Sequence, residues 1–177
     1  MGSEMCIRDR GVPLIVCATS GTTVLGAFDD VAAIAEVCRK YNLWLHVDAS
    51  WGGAAAFLPH DAPERSVLAG LENAHSITIN PHKLLGVTHQ CSFLLVHDKS
   101  VLIPPSHSDG GYLFHVPAED ALDMATKTLG CGRRGDALKF YLVWLRYGTQ
   151  GLGDHIAHGL RIAQALWQRL QRIPSLE

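Results

Sequence analysis

Two kinds of pattern alternate along this chain: short, nearly unbroken apolar runs, and longer stretches in which apolar residues recur every three or four positions. Val12–Ala18 (V-P-L-I-V-C-A) reads as a first buried strand, with Pro13 tolerable near its start. Asp29 is the expected N-cap of a helix over about residues 30–41, whose Val31, Ile34, Ala35 and Cys38 share one face, and Asn42 can close it. Leu43–Val47 is again apolar, with β-branched and aromatic members, as expected of a strand buried on both faces of a parallel sheet. Strand, helix and strand make a βαβ unit, with parallel strands and a right-handed connection. Ala54–Ala62 reads as a loop or short helical start, and Pro63–Glu72 as a helix with proline in its first turn. His75–Ile79 and Cys91–His97 are two further strands of the same sheet. Helices are predicted over about residues 134–147 and 153–171. The first is apolar on nearly every face and is expected to be buried, and the glycine-marked Tyr147–Leu152 links the two. The fold class is α/β.

Polar chemistry gathers where these strands stop. The third strand runs into Asn80-Pro81-His82 and ends on Lys83. Pro81 removes a backbone donor and pushes Asn80 towards extended geometry, so the strand must stop there. Most lysines after a strand are solvated charges. One that attacks a carbonyl needs a setting that favours the free amine. The second strand ends in Asp48, followed by Ala49-Ser50-Trp51-Gly52-Gly53, small enough for the backbone to pass close to something. A carboxylate at the end of a buried strand is costly unless a cation or proton donor meets it. In open α/β sheets these strand ends are also where ligands sit. A lysine able to form a Schiff base and an aspartate able to keep a ring nitrogen protonated are what pyridoxal phosphate asks of a protein.

Composition narrows the class further. The chain has 177 residues, 47% hydrophobic and 18% charged, enough for one sizeable globular core. A formal net charge of −2 without a basic cluster argues against nucleic acid as a partner. No apolar run approaches the roughly 18 residues of a membrane span, and no signal peptide is visible. The five cysteines, Cys6, Cys17, Cys38, Cys91 and Cys131, lack metal-type spacing. They read as reduced, mostly buried thiols of a cytoplasmic protein, and no metal is expected.

Taken together, the motifs H-V-D-A-S-W-G-G (His46–Gly53) and S-I-T-I-N-P-H-K (Ser76–Lys83) resemble the group II pyridoxal-phosphate-dependent amino-acid decarboxylases. Ala18–Asp29 and Tyr41–Asp48 are most similar to the glutamate and cysteine sulfinate decarboxylase branch. The resemblance runs from about Val12 to the end of the chain. It implies an aspartate-aminotransferase-like (fold type I) large domain, mostly parallel sheet flanked by helices and incomplete. It also implies pyridoxal 5'-phosphate as cofactor, an amino-acid substrate that is acidic (glutamate, cysteine sulfinate or aspartate), and a homodimer with shared active sites. Other enzymes of the same cofactor fold, or a non-catalytic piece, are the competing readings.

Residue roles carry over from the same resemblance. Lys83 holds the cofactor as a Schiff base, Asp48 pairs with its ring nitrogen, and Thr23 and Ser50 lie beside it. Serine stands at position 50 where the family usually has alanine. Asn80 and His82 contact the phosphate region, although a supporting role for the His82 imidazole is nearly as good a reading. Gly110–Phe114 (G-G-Y-L-F) matches the family's catalytic loop, which makes Tyr112 the residue that protonates the substrate carbon after carbon dioxide leaves. Without the resemblance, Thr22 and Thr23 are ordinary turn hydroxyls and Tyr112 a packing anchor. His89 stands where the family usually has an apolar residue.

The organisation implied is a non-native leader over residues 1–11, the second half of the cofactor-binding domain over 12–148, and a helix over 149–177 leading towards a small domain. A piece of this extent is expected neither to bind cofactor tightly nor to turn over on its own.

Overall fold

The computed structural model describes residues 11–102 and 134–173. Four strands form one sheet in the order β1 (Ile15–Thr19), β2 (Trp44–Asp48), β3 (Ser76–Ile79) and β4 (Phe93–Val96). The first three are parallel and β4 returns antiparallel to β3. Helix α1 (Val31–Tyr41) connects β1 to β2, and α2 (Asp136–Leu170) follows the sheet.

Helix α1 forms where its apolar spacing predicts, but its cap lies one residue later than expected. Asp30, not Asp29, is the N-cap: its carboxylate accepts the Ala33 N–H at 2.9 Å, worth about 1 kcal/mol. Asp29 is used elsewhere. Its carboxylate accepts the Thr19 N–H at 2.7 Å and its own N–H donates to the Thr19 carbonyl at 2.9 Å, which ties the end of β1 to the start of the helix. Asn42 ends α1 in the left-handed region, φ 52°, which asparagine tolerates better than most residues.

One face of the sheet packs on α1. Val31, Ala35 and Cys38 meet Ala18, Leu45, Val47 and Ala49 in a buried cluster. Leu45 and Val47 are both 0% exposed, whereas Trp44 and His46 are only half-buried and Asp48 is exposed, so β2 is not buried on both faces as expected. The period of two is obeyed: the even-numbered side chains belong to the opposite face, where hydroxyls, an indole and an imidazole bond to one another. The first strand also begins later than predicted. Pairing with β2 starts at Ile15, and Val12 and Leu14 are exposed.

Pro63–Glu72 is not one helix. It is two 3₁₀ segments, Pro63–Leu68 and Leu71–Asn73, separated by Gly70 at φ +88°. A β-carbon on Gly70 would lie 2.5 Å from the Ala32 nitrogen, so the close approach of this segment to α1 requires glycine. A further 3₁₀ segment, Gly52–Phe57, follows β2.

Helix α2 breaks at Gly148 (φ 66°, ψ 176°), inside the linking segment that the sequence marks, in a backbone region that only glycine visits readily. Phe140, Val143, Leu152 and Ile156 pack with Ala54, Leu58, Leu85, Val87 and Cys91 in a second cluster. The rest of its first half is not buried as expected: Leu138, Leu142 and Leu145 stand exposed, the last at 69%. The expectation of mostly buried thiols holds for Cys38 and Cys91 but not for Cys17, which lies on the open face of β1 and is exposed. No helix among the described residues is long and apolar enough to cross a membrane.

Candidate active site

Strands β1, β2 and β3 run parallel and bring their carboxyl ends together. Asp48 pairs in register with Thr19 on one side and Thr78 on the other. Past the sheet, the Ser20 N–H donates to the Asp48 carbonyl at 2.8 Å, and the Gly52 N–H donates to the Ser20 carbonyl at 3.0 Å. A β-carbon on Gly52 would sit 2.4 Å from that carbonyl oxygen. Glycine at this position is what lets the chain after Asp48 fold back across the end of β1.

The other side of the site is the turn after β3. Pro81 is fully buried, the Lys83 N–H donates to the Asn80 carbonyl at 2.9 Å, and the Val87 N–H donates to the Pro81 carbonyl at 3.1 Å. This closed turn carries the Lys83 side chain to Trp51. The Lys83 Nζ lies 4.9 Å from the centre of the Trp51 ring, within the range of a cation–π contact. The indole in turn donates from Nε1 to the Thr23 Oγ1 at 3.2 Å. Thr23, Trp51 and Lys83 therefore form one connected group.

Asp48 is held charged. Burial raises its proton affinity, but the hydroxyl and backbone N–H of Ser50 (N···Oδ1 3.0 Å) and the positive charge of Lys83 outweigh that, leaving its carboxyl below the usual carboxylate range. Both the acid and the amine singled out from sequence thus lie close enough to act on each other. Ser50 serves the carboxylate directly.

Asn80 and His82 are placed differently. The Asn80 Oδ1 is buried with no hydrogen-bond partner among the described residues, so it needs a donor from elsewhere. The His82 Nδ1 lies 2.6 Å from the Cys91 carbonyl and 3.1 Å from the Cys91 N–H. Both contacts engage Nδ1, which accepts the Cys91 N–H, and leave Nε2 as the ring nitrogen without a hydrogen-bond partner among the described residues. The His89 ring rests against that imidazole at 4.2 Å between centroids, so the residue that departs from the family pattern supports His82. Tyr112 lies outside the described residues.

Two contributors were missed from sequence. Trp51 stands among otherwise small residues, and an aromatic three residues after the aspartate is the available signal. His46 is two residues before Asp48, hence on the same face of the strand.

The family model described as the pyridoxal-dependent decarboxylase conserved domain matches residues 4–177. The chain belongs to the pyridoxal-dependent decarboxylases. It is 45% identical over 166 residues to L-aspartate decarboxylase dtxS4 of Metarhizium robertsii, covering 93% of this chain and 32% of the relative. To the cysteine sulfinic acid decarboxylase of Homo sapiens it is 43% identical over 176 residues, covering 98% and 35%. The crystal structure of mouse CSAD superposes with a TM-score of 0.82 at 41% identity, covering 97% of this chain and 35% of that one. The chain thus spans about a third of the length of the curated relatives it matches.

The residues gathered at these strand ends suit pyridoxal phosphate. An ionised carboxylate is what a protonated pyridine nitrogen needs as partner, a primary amine stands on the neighbouring strand end, and a buried amide oxygen awaits a donor.

Proposed function

We propose that the full-length protein is a carboxy-lyase that removes the α-carboxylate of an acidic L-amino acid. The observation that carries this reading is the juxtaposition of a charge-stabilised Asp48 and Lys83 beyond the carboxyl ends of β2 and β3, near enough for the ammonium to act on the carboxylate. Lys83 would hold the cofactor covalently, and Asp48 would face its ring nitrogen. Pyridoxal phosphate, when bound, supplies the electron sink that accepts the pair left as carbon dioxide departs.

The chain's own residues do the rest. Ser50 keeps Asp48 ionised, so the carboxylate can hold a proton on its ring-nitrogen partner rather than take it. Thr23 fixes the Trp51 indole, and the indole face steadies the Lys83 ammonium until the amine is needed. Asn80 and the free Nε2 of His82 are the groups left to meet the cofactor's polar end. Tyr112 donates the proton that forms the new C–H bond at the α-carbon. An acidic substrate is supported by relatives named for aspartate and cysteine sulfinic acid. A cytoplasmic homodimer with shared sites completes the reading; the free thiols of Cys17, Cys38 and Cys91 accord with a reducing compartment.

Carbon dioxide release from labelled aspartate, cysteine sulfinate and glutamate by the full-length protein tests this reading. Release from at least one of them is expected, and Lys83→Ala should abolish both the release and the visible absorption of the cofactor-loaded protein. Release that survives in Lys83→Ala rejects the assignment.

A further inference from the structure

We propose that His46 is a positioning residue for Asp48: held by one ring nitrogen on Ser76 and by the other on Thr78, its imidazole locks the strand end bearing the acid to the strand that delivers Lys83. The inference rests on the function proposed above.

The geometry is specific. His46 pairs in register with Ser76, and Asp48 with Thr78, on parallel strands. The His46 Nδ1 lies 2.8 Å from the Ser76 Oγ, and Nε2 lies 3.3 Å from the Thr78 Oγ1. One ring therefore spans a full two-residue step of the sheet face and ends on the register partner of Asp48. Only three register pairs join β2 to β3, so a side-chain tie adds materially to their alignment.

Hydrogen-bond direction follows from the donors present. The Trp44 Nε1 can only donate, and it reaches the Ser76 Oγ at 2.8 Å. Ser76 is buried and has one hydrogen of its own to place. Donating it to the His46 Nδ1 leaves the imidazole hydrogen on Nε2, directed at Thr78. The Trp44 indole, the Ser76 hydroxyl and both ring nitrogens of His46 then each have a partner, which fixes the imidazole between the two strands.

A histidine between strands is more often a satisfied piece of packing than part of a site. One feature sets this one apart: its chain of hydrogen bonds ends on Thr78, the register partner of the acid. The titratable or charged groups around it are Asp48 on its own strand, Cys17 as register partner on β1, and Lys83 beyond β3, while α1 packs on the other face.

The test uses the full-length protein. His46→Phe keeps an aromatic ring but makes neither hydrogen bond, whereas His46→Gln keeps a donor and an acceptor on one amide. Cofactor affinity is measured by titrating the visible band of the loaded protein, together with the pH profile of that band. Loss of two hydrogen bonds should weaken cofactor binding about tenfold in His46→Phe and displace the pH profile, and His46→Gln should recover most of the affinity. Should His46→Phe fail to fold, Thr78→Val, which removes one hydroxyl, carries the test with an expected loss of about threefold. Wild-type affinity and pH profile in His46→Phe, equal impairment in His46→Phe and His46→Gln, or an unaffected Thr78→Val overturns the proposal. A wild-type protein with no cofactor band overturns the proposed function as well, so the two failures are distinguishable.

Discussion

The ammonium of Lys83 lies 4.9 Å from the centre of the Trp51 indole, and that indole is itself fixed by its hydrogen bond to Thr23. An amine expected to act as nucleophile thus rests on an aromatic face instead of pairing with the nearby acid. The contact is soft enough to be left and directional enough to aim the side chain.

Trp51→Leu in the full-length protein should therefore lower kcat/KM about fivefold, the equivalent of roughly 1 kcal/mol of lost cation–π contact. Trp51→Phe should lose less, because a ring face remains. Carbon dioxide release is the measurement, and an unchanged rate in Trp51→Leu would contradict this role.

Asp48→Asn removes the charge but keeps the shape. Loss of a preorganised electrostatic partner at the reacting centre is expected to reduce turnover at least about a hundredfold. Asp48→Glu, still anionic but displaced, should fall between. Retention of near-normal turnover in Asp48→Asn would exclude the proposed pairing with the ring nitrogen.

The same carboxylate predicts a pH dependence of stability. Its folded-state proton affinity is depressed, so ionised Asp48 favours the native state above the unfolded value of about 3.9, and that contribution disappears as pH falls through the still lower folded value. The difference in thermal midpoint between wild type and Asp48→Asn should be full at neutral pH and shrink below about pH 5. A difference that widened on acidification would reverse the sign argued here.

Burial raises the thiols of Cys38 and Cys91 above their ordinary range, the second also through the carboxylate of Asp136 and against the opposing charge of Lys139. Both are expected to resist alkylation at pH 8 in the native protein and to react on denaturation, as peptide mapping by mass spectrometry would read. Rapid native labelling of either would show that the core around it opens.

Gly70→Ala places a β-carbon where φ is +88° and the Ala32 nitrogen is 2.5 Å away. A destabilisation of about 1–3 kcal/mol is expected, seen as a lowered thermal midpoint. An unchanged midpoint would mean that the segment can move off α1 at no cost.

Strand identity, the βαβ unit, the left-handed close of α1 at Asn42, the break near Gly148 and the family itself were legible in the residue order. Each is a local matter: apolar runs, turn chemistry and motif spacing carry their meaning within a few positions. The helix expected over Pro63–Glu72 failed because its periodicity was outweighed by a glycine needed for contact with a helix distant in sequence. The expected burial of β2 on both faces, and of the first half of α2, failed for a related reason. An apolar or mixed pattern says that a face can be covered, whereas only the packed chain says which one is. Asp48 and Lys83 could be named from their motifs. That Trp51 lies against the lysine, that Ser50 keeps the acid charged, and that His46 reaches Thr78 depended on parallel register and on where side chains meet across strands, which no one-dimensional spacing encodes.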